Sequence, residues 1–197
     1  TTLSVLNTIL GGGMSSRLNQ NIREKYGWCY SVYSFVNVQT DSGDLGVYIG
    51  TDASRIERSR TLIEREMTKL AETAVSERML TRAKHQLKGS IVLGLESTSN
   101  RMQRLGRVEL VYGRTVGLDE VVGEIDAVTA EGVRELAAEL LALTRMNVNN
   151  AAFSDGIPIT LKLETVRVGM TTRVTPGYPD RAHGLVRGTA LRASDAG

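Results

Sequence analysis

The spacing of the apolar residues switches at Gly27, and that switch constrains the fold more than any other feature of the chain. Before it, Leu3, Leu6, Ile9 and Leu10, then Met14, Leu18 and Ile22, recur at helical intervals, interrupted by Gly11, Gly12 and Gly13. After it, Tyr30, Val32, Ser34, Val36 and Val38 alternate with Ser31, Tyr33, Phe35 and Asn37, which is the pattern of a strand covered in part on both faces. The sequence TDSGD at 40–44 is turn chemistry, and Leu45, Val47 and Ile49 open a second alternating run. The two strands are therefore expected to pair as an antiparallel hairpin.

Helical spacing then returns. Ile56, Ile63, Met67 and Leu70 mark one helix, with Arg60 and Glu64 as an i, i+4 pair on its solvated face. Ser76 is a cap for a longer helical region whose buried stripe is Leu80, Ala83, Leu87 and Ile91. The sequence ESTSN at 96–100 is expected to bend or restart that region before Met102, Leu105 and Val108 continue the stripe, and Gly113 and Gly117 end it. Two short amphipathic helices follow, the second capped by Thr129. RMNVNNAAF and ITLKLETVRVGM read as one or two closing strands, and the Arg, Gly, Thr and Pro-rich remainder beyond Gly169 as an extended or disordered tail. This order predicts an α+β fold, a mostly antiparallel sheet with helices packed on one face.

Composition narrows the function classes. No apolar stretch approaches the roughly 20 residues needed to cross a bilayer. The excess charge of +2 lies wholly in residues 171–197, where Arg173, Arg181, Arg187 and Arg192 oppose Asp180 and Asp195. The body of the chain therefore lacks the basic stripe of a nucleic-acid binder. Cys29, the single cysteine, excludes an internal disulfide and fits a reducing compartment, which leans towards the cytoplasm. A chain that opens directly in a helical pattern is expected to be a piece of a longer polypeptide.

Few residues can carry chemistry. A zinc site needs about three ligands at close spacing, and the two histidines, His85 and His183, stand far apart. The loop LGGGMSSRL follows a helix rather than a strand and lacks the Lys-Ser/Thr pair of a nucleotide loop, so it reads as a kink or as a place where backbone approaches an extended ligand. Ser15, Ser16 and Ser31 sit in no strand-turn-helix elbow. Arg23 and Tyr30 remain. If Gly27 turns the chain, both can emerge at one edge of the sheet, where a guanidinium fork and a phenol would donate to a carbonyl or an oxyanion; locally they read equally as a helix-end cation and an amphipathic strand residue.

LNTILGGGMSSRLNQNIREKYGWCYSVYSF, then GDLGVYIGTD, then AKHQLKGSIVLGLESTSNRMQRLGR, in that order, resemble the C-terminal half-domain of the insulinase-like zinc peptidases, the group that includes pitrilysin and the mitochondrial processing peptidase. The resemblance runs from about Leu3 to Leu143 and implies a processing-peptidase-like half-domain over residues 1–150, with a poorly matched, partly disordered extension over 151–197. It implies that zinc, bound by an H-x-x-E-H motif, belongs to an N-terminal half absent from this sequence, so that no metal ligand and no cofactor are expected here. It also implies that Arg23 and Tyr30, seven residues apart, contact the peptide substrate and its transition state, and that Gly11, Gly12 and Gly13 form a substrate-handling loop. The expected partners are a catalytic N-terminal half-domain or partner subunit, a peptide substrate and, in addition, a second copy of the chain. Two functions compete on this reading: the substrate-binding half of a zinc-dependent metalloendopeptidase that cleaves peptides in an enclosed chamber, and a non-catalytic peptide-binding or assembly subunit.

Overall fold

A computed structural model of the chain describes residues 1–38, 43–142, 144–150 and 158–165. Helix α1 (Thr2–Leu10) leads through the glycine loop and a π-helical turn (Asn19–Glu24) into strands β1 (Cys29–Val38) and β2 (Gly43–Thr51). A 3-10 turn (Ala53–Arg55) opens α2 (Ile56–Glu72), followed by α3 (Glu77–Gly94), α4 (Thr98–Tyr112), α5 (Leu118–Ala127) and α6 (Ala130–Ala142). Strands β3 (Thr144–Asn150) and β4 (Pro158–Thr165) complete a four-stranded antiparallel sheet in the order β1-β2-β4-β3. The last strand in sequence thus lies between β2 and β3, beyond the boundary expected near residue 150. The turn expected at 40–44 lies for the most part outside the described residues, as do residues 151–157 and the tail from 166 onward.

Local chemistry explains where the helices start and stop. The Ser76 hydroxyl accepts from the Met79 N–H at 3.3 Å, Ser97 from Asn100 at 3.4 Å, and Thr129 from Gly132 at 3.0 Å, so each satisfies one orphan donor of a first helical turn. Gly113 closes α4 in the left-handed region at φ 64°.

Leu45, Val47 and Ile49 point from β2 into a core filled by Leu6 and Leu10 of α1, Met67 and Leu70 of α2, and Ala137 and Leu140 of α6. On the opposite face Tyr33 stacks on Tyr48 with ring centroids 4.9 Å apart, and the Phe35 ring covers Gly46, where any side chain would strike it. Helices on one face and aromatics on the other account for a strand pair that reads as covered on both sides.

Two expectations need correction. Met102 and Leu105 do not continue the buried stripe of α3: α4 buries none of its residues, and Met102, Leu105, Leu110, Val111 and Tyr112 stand exposed. The break capped by Ser97 directs α4 off the core. Tyr30 also does not share a face with Val32. Cys29 pairs with Thr51 but Ser31 with Gly50, so two steps on β1 oppose one on β2 and Tyr30 is the extra residue of a bulge.

Candidate functional site

The candidate residues lie on the chain that connects α1 to β1. After Leu10 that chain presses against the strand: the Ser34 N–H donates to the Gly11 carbonyl at 3.3 Å and the Ser34 hydroxyl to the Asn7 carbonyl at 3.1 Å. A Cβ on Gly11 would collide with the Ser34 backbone nitrogen, so only glycine permits this approach. Gly12 is exposed, and its carbonyl accepts from Gln86 Nε2 of α3 at 2.8 Å. A Cβ on Gly13 would meet the movable amide end of the same glutamine. A Cβ on Gly12 would strike the Thr8 backbone, so Gly11 and Gly12 are both committed to packing, while Gly13 faces a side chain that can shift.

The π-helical turn carries Arg23, and the Lys25 N–H closes it onto the Gln20 carbonyl. Turns of this kind are found disproportionately at functional sites because the widened backbone re-aims side chains. Gly27, at φ 60°, donates its N–H to the Arg23 carbonyl at 2.9 Å and reverses the chain into β1. A left-handed backbone is required there, and glycine supplies it without the steric cost of a side chain. The bulge then turns Tyr30 outward, 89% exposed, while Cys29 and Val32 on either side of it are buried.

Those local features bring Arg23 and Tyr30 together. The guanidinium carbon lies 5.8 Å from the Tyr30 ring centroid, a cation–π contact of about 0.5–1 kcal/mol for an exposed pair. Arg23 Nη1 donates to Asn19 Oδ1 and to Met14 Sδ, each at 3.4 Å. Among the described residues no carboxylate pairs with Arg23, whereas Arg17, Arg60, Arg114 and Arg134 each hold one. A half-buried arginine beside an exposed phenol, without a counter-ion, is suited to receive an acceptor from outside. Neighbouring Cys29 plays no such part: burial pushes its thiol up, and the opposing pull of Arg23 is the lesser effect.

Sequence reasoning located Arg23 and Tyr30 but missed Met14 and Asn19, which hold Arg23, and Gln86, which holds the glycine loop. Asn19 had a signal, because it precedes Arg23 by one helical turn. Among the described residues no three His, Cys, Asp or Glu side chains converge, and His85 stands exposed on α3; His183 lies outside them. The described residues do not fit a zinc ion.

Residues 1–87 match the family described as the peptidase M16 inactive domain. This segment is an M16 inactive-type domain. A Bacillus subtilis protein described as an uncharacterized zinc protease is 43% identical over 138 residues, covering 70% of this chain and 34% of that protein. The mitochondrial-processing peptidase subunit alpha of Neurospora crassa is 30% identical over 185 residues, covering 86% of this chain and 32% of that subunit. The crystal structure of a peptidase M16 inactive domain from Pseudomonas fluorescens superposes with a TM-score of 0.63 at 25% identity, over 70% of this chain and 33% of the other. The M16 domain therefore spans about a third of the length of the curated relatives it matches. The peptidase family read from the sequence motifs and the α+β fold both agree with these matches.

Proposed function

We propose that this M16 domain is the substrate-facing half of a zinc-dependent endopeptidase whose metal-binding half lies elsewhere in a longer protein or on a partner subunit. The observation that carries the reading is the convergence of Arg23 and Tyr30: a π-helical turn, a glycine reversal and a strand bulge each contribute to presenting an unpaired cation and a free phenol side by side. In this reading both groups donate to the carbonyl of a bound peptide and to the oxyanion that develops from it, where one well-placed donor contributes on the order of 100- to 1000-fold to kcat. Gly12 is exposed at the loop, and in this reading a bound peptide passes beside it, while Gly11 fixes the loop to β1. The apolar face of α3 and α4, including Val92, Leu93 and Leu105, supports a companion domain as the partner that covers it.

In the full-length protein, Arg23→Ala and Tyr30→Phe should each lower kcat on peptides at least tenfold while bound zinc is unchanged. Unaltered kinetics in both variants would remove the assigned role. The 197-residue chain alone, supplied with zinc, should turn over no peptide; metal-dependent cleavage by it would overturn the division of labour. The second reading, a non-catalytic peptide-binding or assembly subunit, draws on the longer match to a relative named as a subunit. A full-length protein that binds peptide without hydrolysing it would select that reading.

A further inference from the structure

We infer that Asn19 is a positioning residue that holds Arg23 against the strand bearing Tyr30, an inference that rests on the reading of that pair as peptide-facing. Asn19 begins the π-helical turn and is only 7% exposed, so its carboxamide must find partners inside the protein. It finds one on each side: Oδ1 accepts from Arg23 Nη1, and Nδ2 donates to the Val32 carbonyl of β1, both at 3.4 Å. The amide orientation is forced by chemistry, because a guanidinium only donates and a carbonyl only accepts. One planar group therefore ties the helical turn to the strand two residues beyond Tyr30 and sets the spacing between the cation and the phenol. The other acceptor of Arg23, Met14 Sδ, is a weak one on a largely exposed side chain and cannot perform that task alone.

The chemistry of asparagine is specific here. Leucine of similar size would release Arg23 and leave the Val32 carbonyl unpaired. Aspartate would keep an acceptor for Arg23 but turn a second oxygen towards the Val32 carbonyl, and its charge would occupy the guanidinium that a peptide carbonyl is meant to receive. Neither replacement can do both jobs.

The test is a double-mutant cycle on peptide hydrolysis by the full-length protein, combined with crystal structures of the variants. Asn19→Leu should lower kcat roughly 10- to 100-fold with a smaller change in KM, the scale expected when a contact group is misplaced by about 1 Å. In an Arg23→Ala background the same substitution should produce no further loss, because its effect passes through the arginine. Losses that multiply would reduce Asn19 to a fold-stabilising residue and overturn the inference. If Arg23→Ala leaves the kinetics unchanged, the peptide-facing reading fails, and the structures still decide the positioning claim. They should show the guanidinium displaced from the Tyr30 ring in Asn19→Leu, and an unmoved Arg23 would sink the claim. Should Asn19→Leu not fold, Asn19→Asp supplies the second variant: Arg23 is then expected to stay in place, ion-paired, with kcat reduced. Full activity in Asn19→Asp would count against the inference.

Discussion

Gly11 and Gly13 stand two residues apart in one glycine run, yet the surrounding atoms give them unequal tolerance for a side chain. The position of a Cβ on Gly11 is occupied by the Ser34 backbone, which is held in a sheet and cannot withdraw, whereas Gly13 faces the free end of Gln86. Gly11→Ala should therefore destabilise the chain by about 1–3 kcal/mol, the usual cost of overpacking, and Gly13→Ala by less than about 0.5 kcal/mol. Urea denaturation of the two variants checks this, and equal losses would show that the loop does not lean on β1 as described. The run of three glycines was visible in the sequence, but its partition was not, since Ser34 is remote along the chain. Arg23 and Tyr30 were legible as a spaced pair. The bulge that sets Tyr30 apart was not, because Tyr30, Val32 and Ser34 alternate without fault until their register against β2 is known.

Within the elements, α2 shows how far a helical pattern alone reaches. The Arg60–Glu64 pair expected on its solvated face is formed at 3.0 Å and, being half-exposed and on one helix, contributes only a few tenths of a kcal/mol. Glu66, two positions on, looks in the sequence like one more surface charge but is 3% exposed and accepts from Arg17 at 2.9 Å and Lys69 at 2.8 Å. Burial acts to raise its pKa, yet the hydrogen bonds and charges of Lys69 and Arg17 outweigh it and hold the carboxyl below its ordinary value. The folded state then binds this proton less readily than the unfolded chain. The resulting stability is present above the unfolded carboxylate value near about pH 4.3 and is lost as pH falls through the lower folded value. Glu66→Gln should cost about 1–3 kcal/mol at neutral pH by leaving a half-buried Arg17 without its counter-charge, and the difference from the native chain should narrow below about pH 4. A difference that does not change with pH would show that the lost stability comes from packing rather than from ionisation.

At the scale of the whole molecule, the alternating runs indicated antiparallel strands but not their order, because nothing in a period of two tells β4 to enter between β2 and β3. The same limit applies to α4. Its apolar residues recur at helical spacing as they would on a buried helix, and only the finished fold shows Leu105 and Leu110, the latter 87% exposed, lying clear of the core. Exposed apolar surface of this kind marks a contact site when its cover is absent. Because the chain spans about a third of its relatives, the cover proposed above is a companion domain, and without it the patch should associate with itself. Sedimentation velocity on the 197-residue chain should show concentration-dependent self-association, and Leu105→Lys with Leu110→Lys should abolish it. Both positions are exposed, so the paired substitution should shift unfolding free energy by no more than about 1 kcal/mol. A chain that remains monomeric at about 100 µM, well above the dissociation constant of a weak micromolar contact, would show that α4 needs no partner.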